Sequence, residues 1–211
     1  MIRRVLNRAP ELGYRLGVAA AAGFTVLSAE SVIRPGPQNY RDVLWLVPGL
    51  LTMGTFACVH RAHAGGAGRW ERVSYGVAQV ALVLTMTATA AWGLGFDGLA
   101  FLGFPLGALA WMAGLISWGS ALIRAGVLPA SAGWSLILLE PGSIAAGVAL
   151  SPIAGLADHG GYSGALAKAV ALAAVSVALR RWAAAAPGPG ADGDAAAVPA
   201  GTGGQRGSRM G

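Results

Sequence analysis

Charge is what this chain most lacks: only 11% of its 211 residues are Asp, Glu, Lys or Arg, against 55% hydrophobic. That is too little charge to clothe a soluble globule of this size, so lipid must cover much of the surface. Cysteine occurs once, at Cys58, which excludes an internal disulfide and a cysteine-cluster metal site and leaves a small core residue as the expectation. Three histidines, His60, His63 and His159, form no HExxH pair. The first two fall in an arginine-containing loop, where exposure is expected. GxSxG, P-loop, dinucleotide-fingerprint and Asp-rich diphosphate motifs are all missing, so ordinary hydrolase, nucleotide and ionisation-type prenyl chemistry lack their residues. No cofactor and no metal is expected.

Long apolar runs are present instead. A bilayer core needs about 20 apolar residues per helical crossing. Six stretches approach that length, at 12–28, 43–58, 73–96, 99–123, 133–155 and 162–182. The first resembles a secretory signal with small residues near Ser28-Ala29, but the topology requires it as a retained helix. The fold class expected is therefore all-α, a polytopic transmembrane bundle of about six spans over residues 1–182. Residues 183–211, rich in Ala, Gly and Pro, hold almost nothing that could pack and read as a disordered cytoplasmic tail.

The net charge of +6 comes from arginines at the ends of the apolar runs rather than from a stripe along a polar face, so no nucleic-acid partner is expected. Arg3, Arg4, Arg8, Arg15, Arg61, Arg69, Arg72, Arg124, Arg180, Arg181, Arg206 and Arg209 fall on one side of the alternating spans, and only Arg34 and Arg41 on the other. By the positive-inside rule both termini are cytoplasmic and the protein is a multi-pass protein of the plasma membrane. Trp45, Trp70, Trp92, Trp134 and Trp182 lie near span ends, as an interfacial belt would. Lys168, the only lysine, lies close enough to the outer end of the sixth span to snorkel toward water.

Small residues at four-residue spacing let helices approach closely: Ser143, Gly147, Ser151 and Gly155 in the fifth span, and Gly103/Gly107 and Ala110/Gly114 in the fourth. One carboxylate lies well inside a span, Glu140, in Leu138-Leu139-Glu140-Pro141-Gly142-Ser143. At about 100° per residue it shares a face with Ser143, Gly147 and Ser151, so it should point at protein. An ionisable group at that depth is a functional-site hypothesis by default. Burial favours its neutral form, which makes it a candidate proton donor, while a hydrogen-bonded structural role is the alternative. Pro141 and Gly142 predict a kink there. Gln79 is the expected partner, and Trp111 and Trp118 offer aromatic faces near the same depth. Glu30, Asp42, Asp97 and Asp158 fall at outer span ends with Arg34, Arg41 and His159, as an outer polar cluster in which pairing is expected.

Two resemblances follow from these residues. Residues 124–129 (Arg-Ala-Gly-Val-Leu-Pro), continuing to Gly133-Trp134, look like a loop recurrent in uncharacterised actinobacterial multi-pass membrane proteins. The abundance of Ala and Gly and the excess of Arg over Lys fit a GC-rich genome. In size, span number, buried carboxylate and aromatic content the chain also resembles the small membrane-bound terpene cyclases. That likeness is of architecture, with no matching motif, and implies a lipophilic, prenyl-like substrate; the roles follow from the residues themselves, with Glu140 protonating it, Gln79 orienting and Trp111, Trp118 and Ser143 binding. The alternatives are a proton-coupled small-solute carrier and a non-catalytic membrane subunit.

Overall fold

The computed structural model describes residues 9–34, 38–63, 66, 68–153 and 164–185. Among these residues it contains helices and no strand: α1 (Ala9–Ile33), α2 (Asn39–Leu44), α3 (Leu46–His63), α4 (Arg69–Gly93), α5 (Asp97–Ala125), α6 (Ala130–Leu150) and α7 (Ala165–Ala185). The α2/α3 break at Trp45 has a local cause. Pro48 has no N–H to give the Leu44 carbonyl, yet Trp45 keeps helical angles and the two pieces run on as one span. Gly126 takes φ +65 just after α5, a left-handed terminator, and Pro129 precedes α6, so the chain reverses in a few residues.

Five segments are long and apolar enough to cross a bilayer: Ala9–Ile33, Asn39–His63, Arg69–Gly93, Pro105–Ala125 and Ala130–Leu150. Helix α7 carries Lys168, Arg180 and Arg181, which lower its hydropathy, but its 21 residues equal α6 in length and it packs between α1 and α6. It closes a ring in which α1 meets α3, the α2–α3 span meets α4, and α4, α5, α6 and α7 follow in order back to α1. The outer surface is apolar, with Val26, Phe101, Leu106, Val148 and Val170 all exposed. The interior holds Arg41, His63, Glu71, Glu140 and Lys168 beside Phe24, Phe56, Leu82 and Leu136. An apolar outside around a partly polar inside is the pattern of a bundle solvated by lipid.

Small residues set the seam between α4 and α5. Along α5, Gly103, Gly107 and Gly114 lie against Ala88, Thr85 and Ala78 of α4; a Cβ added at Gly114 would come within 2.8 Å of the Ala78 nitrogen. These are the fourth-span glycines the spacing singled out. The fifth-span ladder holds only in part: Ser143 and Gly147 are buried, Ser151 is exposed just past the end of α6, and Gly155 lies outside the described residues. Helix α6 stays helical through Pro141 and Gly142. At the other end of the chain, α7 runs to Ala185, past the expected boundary at 182/183. Residues 186–211 of the expected tail are not among those described.

The helix ends gather at two poles. Arg180 Nη1 donates to Tyr14 OH at 3.3 Å, joining the end of α7 to the start of α1. One cleft joins the end of α3 to the start of α4 and the end of α5. This is the arginine-rich pole. At the opposite pole a buried Arg41 bonds to Glu30 and to the Arg34 carbonyl, and Tyr40 donates to Glu30, so α2 is clasped to the end of α1.

Candidate functional site

Helix α6 buries Leu136, Leu139, Glu140, Ser143 and Gly147, a three-and-four spacing that turns Glu140 inward as its register predicts. Its partner is Lys168: Nζ lies 2.9 Å from Glu140 Oε2, and both residues are 7% exposed. Among the described residues Glu140 Oε2 has no hydrogen-bond donor beyond this ion-pair contact, and the ammonium is what compensates the charge on that oxygen. The same ammonium lies 5.0 Å from the ring centre of Trp111 and 5.6 Å from that of Trp45. Those two indoles meet edge to face at 6.4 Å, and Phe24 backs Trp45 at 5.8 Å. A carboxylate and two aromatic walls thus form a cation site, and the chain's own lysine occupies it.

Two sequence expectations change here. Lys168 does not snorkel: it turns into the ring, because Glu140 and two indole faces outbid the short reach to water from the first turn of α7. Trp45 is buried rather than interfacial, whereas Trp70, Trp92 and Trp134 are exposed as a belt requires.

A second buried carboxylate was not legible as a site. Glu71, in the first turn of α4, is 3% exposed. Its Oε1 accepts from Trp118 Nε1 at 2.7 Å and lies 2.9 Å from His60 Nδ1. The Tyr75 ring stacks on His60 at 4.1 Å, and Phe56 and Tyr75 contact Trp118 at 5.3 and 5.1 Å. Gln79 belongs here too, donating to the Met53 carbonyl at 3.1 Å and to Tyr75 OH at 3.0 Å. The expected set therefore divides. Glu140, Trp111 and Ser143 lie in one region, with Ser143 packed on the backbone of Gly164 at the start of α7. Gln79 and Trp118 lie in the other, tied to α3 and to Glu71 rather than to Glu140.

The histidines are corrected as well. Helix α3 continues to His63 instead of ending at Cys58, so His63 is fully buried and His60 is held against Glu71 and Tyr75. Cys58 is buried and free. Of the outer acids, Glu30 pairs with Arg41, Asp42 lies on α2 against Gly93, Asp97 opens α5, and Asp158 is outside the described residues. Among the described residues no three His, Cys, Asp or Glu side chains converge as metal ligands.

The larger cleft, about 620 Å³, opens at the arginine-rich pole between His63, Gly68, Trp70, Glu71 and Arg124. A smaller one, about 360 Å³, lies between Pro129 and Arg181. This arrangement defines a multi-pass helical membrane protein with an ion pair buried in its interior. No family model, no curated protein and no solved structure matches the chain.

Proposed function

We propose that this protein is a proton-linked membrane carrier for lipophilic organic cations, with Glu140 as the carboxylate that proton and cargo share. The observation that supports it is the Lys168 ammonium seated 2.9 Å from Glu140 and facing the rings of Trp111 and Trp45, where a cationic cargo would sit. Lys168 stands in the first turn of α7, on a flexible four-carbon stem. When it swings toward the pole from which α7 starts, it leaves a carboxylate between two indoles. That carboxylate can be neutralised by a proton or by an organic cation, but not by both at once. Competition for one negative charge is the minimal requirement for exchange. Each indole face adds about 0.5–2 kcal/mol of attraction for a desolvated cation.

The terpene-cyclase-like reading uses the same residues, with Glu140 as general acid and Trp111 steadying a carbocation. It is less well supported, because the Lys168 ammonium sits 2.9 Å from the acid, where an alkene would have to approach. The test is uptake of tetraphenylphosphonium by proteoliposomes under an imposed proton gradient. Wild-type protein should move the cation only with the gradient, and Glu140→Gln, inserted to the same level, should move none. Equal uptake by Glu140→Gln and wild type would end the carrier reading. Protonation of a polyene lipid by wild-type membranes without cation uptake would restore the enzyme.

A further inference from the structure

The cleft at the arginine-rich pole takes no part in that cycle, and its chemistry points to a different ligand. Its floor is His63, fully buried, with neither ring nitrogen hydrogen-bonded among the described residues. A buried polar group left unpaired costs about 1–3 kcal/mol, which a bound ligand would recover. One wall is the start of α4. Gly68 caps that helix without a side-chain bond, and among the described residues the first backbone N–H shown bonded back is that of Arg72, to the Gly68 carbonyl at 3.2 Å. The preceding N–H groups carry the positive end of a 25-residue helix to the cleft. The other wall carries Arg124, which is exposed and makes no ion pair among the described residues. Trp70, 58% exposed, stands at the rim as an interfacial anchor.

Cationic side chain, helix start and unpartnered imidazole together favour an anion. Glu71 restricts which anion. Its Oε1 is taken by His60 and Trp118, but its buried Oε2 has no hydrogen-bond partner among the described residues and repels a second negative charge. A singly charged phosphodiester is therefore favoured over a phosphate dianion, and a hydroxyl on the same group would satisfy Oε2. We infer that this cleft binds the phosphodiester headgroup of an anionic lipid, one per chain, with phosphate against Arg124 and the start of α4 and a headgroup hydroxyl toward Glu71.

The experiment is native mass spectrometry of the full chain from mixed micelles titrated with phosphatidylglycerol, phosphatidylcholine or inorganic phosphate. Wild type should retain one phosphatidylglycerol saturably and at least tenfold more tightly than phosphatidylcholine. Arg124→Gln, at an exposed position, should lose about tenfold in affinity, and His63→Gln should weaken binding in the same direction. Arg181→Gln, at the same pole but on the other cleft, should change affinity less than twofold. The inference is overturned if Arg181→Gln weakens binding as much as Arg124→Gln, because the lipid is then held by a diffuse belt of arginines. It is equally overturned if phosphatidylcholine binds as well, or if inorganic phosphate displaces the lipid at equal concentration.

Discussion

Glu140 and Glu71 are both buried carboxylates inside the same ring of helices, and they are stabilised in opposite ways. Glu140, in the middle of α6, depends on one full positive charge and has two indole faces behind that charge. Glu71, in the first turn of α4, is held by an indole N–H and an imidazole, with the positive end of its own helix beneath it. The first arrangement fails all at once when a partner leaves. The second is spread over several contacts and loses them one by one. An all-or-none arrangement suits a cycle in which charges change partners, and a distributed one suits a fixed wall beside a binding cleft.

The contrast can be broken most sharply at Glu140. Replacing it with Leu orphans a buried ammonium, and Lys168→Leu orphans a buried carboxylate; each single change should cost about 3–5 kcal/mol, while the double replacement recovers most of the loss. Reversible unfolding in mixed micelles titrated with dodecyl sulfate would measure this, and a double variant no more stable than either single would mean that the pair is not coupled. A smaller effect is expected at the other carboxylate. Trp118→Phe keeps the ring contacts with Phe56 and Tyr75 and removes only the N–H to Glu71, at about 1–2 kcal/mol in the same assay. A loss as large as that at Glu140 would erase the distinction between the two regions.

The sequence carried the spans and the inward face of α6, because both follow from local periodicity: apolar runs of bilayer length, and Glu140 in step with Ser143 and Gly147. It did not carry the partner. Lys168 lies near a helix end, and only the closure of α7 between α6 and α1 brings its ammonium to Glu140. Gln79 and Trp118 were assigned to Glu140 by depth along their helices, but depth leaves open which neighbour a side chain faces. Glu71 lies two residues before the third apolar run at 73–96, so hydropathy alone leaves it outside the span. A signal was nonetheless present, since Glu71, Ser74, Ala78, Ala81, Leu82 and Thr85 continue one buried three-and-four face of α4 back to its first turn.

If Glu140 is the single carboxylate that a proton and an organic cation share, cation binding must release a proton, and that release is the most direct test. In Lys168→Met the tethered ammonium is gone and only a proton can neutralise Glu140. Titrating tetraphenylphosphonium into this variant in weakly buffered nanodiscs should release one proton per cation bound, by the linkage of two ligands at one charge. The Glu140→Gln/Lys168→Met variant should release none. Cation binding to Lys168→Met without proton release, or equal release from the double variant, would contradict the shared-carboxylate account.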